Sequence, residues 1–112
     1  MATTAHKGMN AVGIPAEPAR RQALIEEFRR QPIGRHSPDL RVLLNCLRMG
    51  QKGDPYILIC TRPQAEWKLA RKSTVRGAPV QLIPGFVFSS PEEAEWEVFK
   101  LLWRECTGET LT

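Results

Sequence analysis

The sequence predicts an α+β fold: a small two- to three-stranded sheet packed against helices, with a helical N-terminal half and a flexible N-terminal tail. Three observations predict it. Leu40, Leu43, Leu44 and Leu47 recur with the period of an amphipathic helix. Tyr56 to Cys60 is an unbroken apolar run rich in aromatic and β-branched residues, the pattern of a buried strand. Ser90-Pro91-Glu92-Glu93 opens a second amphipathic stretch with a strong helix-start signal. At 112 residues there is room for one domain, and 42% hydrophobic with 25% charged residues is a globular composition. We therefore expect a tail over 1–16 and a single α/β domain over 17–112.

The elements follow in order. Residues 1–16 are small, contain glycine and lack periodicity, which predicts the tail. Over 17–30, Pro18 suits a first helical turn, and Leu24, Ile25 and Phe28 form a narrow apolar stripe between arginines. A stripe that thin does not sustain a helix alone, so this helix has to dock on something. Pro32 and Gly34 break the chain. Ser37-Pro38-Asp39 then supplies a cap, a first-turn proline and a carboxylate at the positive end of the helix dipole. The leucine helix runs from there to Met49-Gly50. The strand at 56–60 is expected to be covered on both faces. Thr61-Arg62-Pro63-Gln64 has the form of a capping box and predicts a helix over about 62–72, with Lys68, Arg71 and Lys72 in its last turn. Pro79–Ile83 and Phe86–Phe88 read as strands, either one bent strand or a tight hairpin. The last helix runs from Pro91 to about Cys106 and stops near Gly108. The order after the helical start is thus β-α-β-β-α.

Two apolar stripes run along that last helix. Ala94, Val98, Leu101 and Leu102 form one; Trp96, Phe99 and Trp103 form the other. Together they exceed what one small sheet needs for cover. Core packing accounts for one stripe, and large aromatics are also what anchors protein interfaces. Trp96, Phe99, Trp103, Phe28 and Leu24 are therefore the candidate partner-interface residues.

Charge and chemistry exclude more than they assign. The net charge is +4, with nine basic and five acidic residues over 1–54 and seven of each over 55–112. Arg62, Lys68, Arg71, Lys72 and Arg76 are a candidate anion-contacting set, and a small basic nucleic-acid-binding module is the alternative function. Against it, no exposed aromatic is clearly interleaved for base stacking, and a nucleic-acid binder concentrates its charge more strongly. Cys46, Cys60 and Cys106 fall in no CxxC pattern and read as free, mostly buried thiols of a reducing compartment. No apolar run is long enough to span a bilayer, and residues 1–16 lack a signal-peptide core, which predicts a cytoplasmic protein without membrane attachment. No phosphate loop and no metal-ligand spacing of His, Cys and Asp occurs. His36, one residue before a helix cap, reads either as a ring packed on the helix start or as a polar contact beside a partner. No catalytic, metal or cofactor-binding residue is expected in this chain, because no acid/base pair is visible.

The stretch from His36 to about Glu105 resembles the small subunit of N,N-dimethylformamidase. The resemblance is carried by an ordered series of short matches: His36-Ser37-Pro38 with Leu40, Arg48-Met49, Tyr56-Ile57, Glu66-Trp67 with Ala70-Arg71, Phe88, Glu92-Glu93-Ala94 and Val98-Phe99. It implies a heteromeric amide hydrolase in which a large partner subunit holds the catalytic centre, a single iron bound by tyrosines and a glutamate. This chain would then be an accessory, non-catalytic subunit that stabilises the large one. Its N-terminal region and its 50–54 and 76–85 segments depart from the family pattern.

Overall fold

A computed structural model describes residues 14–51 and 53–111. The order is α1 (Pro18–Arg30), α2 (Pro38–Gly50), β1 (Tyr56–Arg62), β2 (Glu66–Arg71), β3 (Gln81–Phe88) and α3 (Pro91–Thr107). This is the expected α+β architecture with a helical N-terminal half. The sheet is antiparallel, in the order β1-β2-β3. The expected tail falls mostly on residues 1–13, outside the described residues. Its end differs from expectation, since Ile14 is buried in a core cluster to which all three helices contribute, and the Pro15 carbonyl accepts a hydrogen bond from Arg21 Nε.

The helix starts follow the local chemistry. Ser37 Oγ accepts from the Leu40 backbone N–H at 3.2 Å, and Pro38 occupies the first turn. Ser90 Oγ accepts from the Glu93 N–H at 3.1 Å. The expected capping box there is shifted by one residue, because the Glu93 carboxylate takes the backbone N–H of Ser89 rather than that of Ser90. Gly108 ends α3 at φ 82°, a left-handed conformation that costs a residue with a Cβ, and its N–H closes on the Arg104 carbonyl.

The predicted helix over 62–72 is instead the second half of a β-hairpin. Arg62 pairs with Glu66, and the turn is closed by the Ala65 N–H on the Arg62 carbonyl. Gln64 sits at φ 59°, so it cannot continue a helix. Thr61 does not cap; its hydroxyl donates across the hairpin to the Glu66 carboxylate at 2.7 Å. The capping-box pattern competed with a period-two signal, Trp67 and Leu69 separated by Lys68, and the strand won because β1 offered a complete ladder.

Two further expectations change with the sheet. β1 is an edge strand covered on one face, so Tyr56 to Ile59 are half-buried and Cys60 to Arg62 are exposed; the continuous apolar run does not mark a strand buried on both sides. The open choice at 79–88 resolves to one bent strand, β3. Its register against β2 jumps from Lys68↔Val87 to Ala70↔Leu82. The extra residues bulge around Pro84, which has no N–H to donate, and Gly85 at φ 89°.

α3 lies between two buried clusters. Leu69, Phe88 and Ala94 form a small core with Tyr56, Leu58, Trp67, Ile83, Phe86, Val98 and Leu101 packed around it. Leu24, Ile25, Phe28, Leu40, Leu43, Leu47, Phe99, Leu102 and Trp103, with Ile14, form the larger helical core. The two stripes of α3 therefore serve two layers of the same chain. One faces the sheet and the other faces α1 and α2, with Leu102 in the second stripe rather than the first.

Candidate functional site

The candidate interface residues sort by burial. Leu24, Phe28, Phe99 and Trp103 are all buried within the chain. Phe99 stacks on Phe28 at 4.5 Å between ring centroids, on Trp96 at 5.5 Å and on Trp103 at 5.9 Å. Trp103 also donates through Nε1 to Glu109, whose other oxygen pairs with Arg21 at 3.0 Å. These four side chains are buried in the helical core, and Phe28 also lines the groove beside it. The surplus of apolar area on α3 is absorbed by α1, the helix whose thin stripe needed a docking partner. Trp96 differs. It is half-buried, with the Arg29 guanidinium 5.5 Å and the Lys100 ammonium 5.8 Å from the ring centroid.

The exposed apolar surface of the helical layer lies elsewhere. Ile33, Val42 and Met49 are 44%, 53% and 80% exposed. They line one broad groove together with Pro32, Pro38, His36, Arg41, Asn45, Cys46, Arg48 and Glu95. The groove follows from the helix period. α2 turns Leu40, Leu43 and Leu47 into the core, so Val42 and Met49, seven residues apart, share the opposite side. Sequence reasoning missed this face, although the i, i+7 spacing of Val42 and Met49 was its one available signal.

His36 combines both of its expected readings. Its ring lies 5.5 Å from Phe28, its Nε2 is 2.9 Å from the Gln31 carbonyl, and it lines the groove. Beside it, burial pushes the Glu95 carboxyl above the usual carboxylate range, with Arg48 and His36 acting in the opposite direction. Glu27 accepts from both the N–H and the hydroxyl of Ser37, at 2.8 and 2.7 Å. Burial raises its carboxyl, but those two bonds together with His36 and Arg30 outweigh it and hold the group below the ordinary value.

A second polar cluster ties the sheet to α3. The Tyr56 hydroxyl donates to Glu105, Arg71 pairs with the same carboxylate oxygen at 2.9 Å, and the guanidinium lies 4.1 Å from the Tyr56 ring centroid. Burial, and then the bond to Glu105, raises the Tyr56 hydroxyl. Arg71 is thus committed to an internal contact. The other members of the basic set, Arg62, Lys68, Lys72 and Arg76, are spread over a hairpin and the loop after it, not along one helix face.

The three cysteines are free thiols, with Cys60 exposed rather than buried. Cys46 is raised by burial, which disfavours its thiolate. Among the described residues no group of three or more His, Cys, Asp or Glu side chains is placed to hold a metal ion, and no helix is long and apolar enough to cross a membrane.

A search of curated proteins finds no match. The family described as N,N-dimethylformamidase alpha subunit matches residues 17–110, from the first turn of α1 to beyond the end of α3. That span contains every element of the fold and agrees with the resemblance read from His36 to Glu105: the chain belongs to the N,N-dimethylformamidase alpha subunit family.

Proposed function

We propose that this chain is the accessory, non-catalytic small subunit of a heteromeric, cytoplasmic amide hydrolase that cleaves a C–N bond of a small amide, and that it stabilises a larger catalytic subunit. The observation that carries this reading is the family match over 17–110. Supporting it, the polar clusters that the fold assembles have structural partners. Glu27 holds the start of α2, Glu105 fastens the sheet, and Glu109 completes the Trp103 contact. In this reading the iron implied by the resemblance belongs to the larger subunit.

Co-expression with the large subunit of the same enzyme tests the proposal. The two chains are expected to co-purify at fixed stoichiometry. Amidase activity and bound iron should follow the large chain, and that chain should lose solubility or melt earlier when expressed alone. A small chain that stays monomeric and captures no larger subunit would remove the reading.

A further inference from the structure

We infer that the large subunit docks in the groove between the 31–37 connection and the outer face of α2, inserting an apolar segment flanked by carboxylates. The inference rests on the subunit reading above and adds the surface and the chemistry of the contact. The groove is apolar where a solvent-facing helix is ordinarily polar. Val42 and Met49 project from α2, Ile33 faces them from the connection, and Pro32 and Pro38 stiffen the wall. Exposed apolar residues gathered in one concavity mark a contact site more strongly than the same residues scattered singly. Met49 adapts its unbranched side chain to whatever it meets.

Charge complementarity selects the occupant. Arg41 and Arg48 line the groove, and among the described residues neither forms an ion pair, whereas Arg20, Arg21, Arg71 and Lys100 each sit within 4.0 Å of a carboxylate. Among the described residues Glu95 is the one carboxylate in the lining, against the two arginines. The lining is therefore net basic and suits a segment carrying Asp or Glu beside its apolar residues. The outer sheet face is the competing surface, with Leu82 and Val87 exposed. It fits a partner less well, because the Pro84-Gly85 bulge breaks its edge strand.

The test uses the co-expressed complex. Val42→p-benzoylphenylalanine, irradiated and mapped by mass spectrometry, is expected to cross-link to an acidic, apolar-centred segment of the large subunit. Val42→Glu combined with Met49→Glu is expected to weaken association about tenfold or more. Arg41→Glu with Arg48→Glu should also weaken it, and should flatten its dependence on salt. Val87→Glu, on the outer sheet face, should leave association unchanged. All of these positions are exposed, so a circular-dichroism spectrum like that of the parent is expected in each case. A cross-link from position 42 to a second copy of this chain, or to this chain itself, overturns the inference. So does a complex that forms normally with Val42→Glu and Met49→Glu, and in that case the subunit reading still stands. Failure of the parent chain to bind the large subunit at all strikes the subunit reading instead.

Discussion

The helical layer and the sheet are built to different standards. The helical core encloses Leu40, Leu43, Leu47 and Trp103 completely, and three helices contribute to it. The sheet core has three buried members, and one of those, Ala94, comes from α3. Most side chains of β1 are half-buried, and most residues of β3 are exposed, with Phe88 alone buried among them. The cause is geometric. Each helix can turn a stripe toward two neighbours, whereas a three-stranded sheet with one helix on one face leaves the other face open. Stability should therefore concentrate in the helical layer, while the sheet depends on its attachment to α3.

Truncation at matched positions breaks or confirms that contrast. Trp103→Ala removes a fully buried ring that stacks on Phe99 and bonds Glu109, and should cost about 3–5 kcal/mol in urea unfolding. Leu69→Ala, equally buried but in the smaller core, should cost about 2–3 kcal/mol, because a site with an open face nearby relaxes more easily. If Leu69→Ala proves the more damaging, the helical layer is not the centre of stability.

The attachment itself is tested by Glu105→Gln. The change weakens the shared acceptor of Tyr56 and Arg71 and should cost about 1 kcal/mol, since both ion-pair partners are partly solvated. Amide exchange should accelerate in β1 and β2 before it does in α2. Uniform acceleration across all elements would show that sheet and helices open together.

Ser37→Ala probes the helical layer at its edge. It loses the cap of α2 and a bond to Glu27, and should cost about 1 kcal/mol at neutral pH. Glu27 titrates below its ordinary value in the folded chain, so its contribution is present at neutral pH and is lost as pH falls through the carboxylate range. The parent should lose stability over that interval more steeply than Ser37→Ala does, and parallel pH profiles would contradict the assignment.

The smallest effect belongs to Glu95→Gln. The Glu95 carboxyl is raised in the folded chain, so its ionisation opposes folding as pH rises. The amide should be modestly stabilising at neutral pH, with the gain vanishing as pH falls below the ordinary carboxylate range. A gain that persists in acid would point to a packing effect instead.

How much was legible in the sequence depended on how local the signal was. Helix starts at Ser37 and Ser90 and the stop at Gly108 are satisfied by atoms within a few residues, and they were readable. Thr61 to Gln64 carried an equally local helix signal and misled, because a strand partner supplied by β1 outweighed it. The aromatic stripe of α3 was visible, but which surface it would meet was not. Its complement, α1, lies more than sixty residues away in the chain. The same distance hid the groove, which exists only where α2, the 31–37 connection and Glu95 of α3 converge.

By itself the sequence determined the α+β class, the three helices, two of them started by a serine cap, and the family. Those properties rest on periodicity, capping and ordered short matches, all of which act over a few residues at a time. Tertiary structure alone decided that residues 62–71 pair as a hairpin, that Leu24, Phe28, Phe99 and Trp103 face inward, and that Val42 and Met49 are left outside. Burial is a property of what packs on a residue, and for each of these the packing neighbour comes from a different element of the chain.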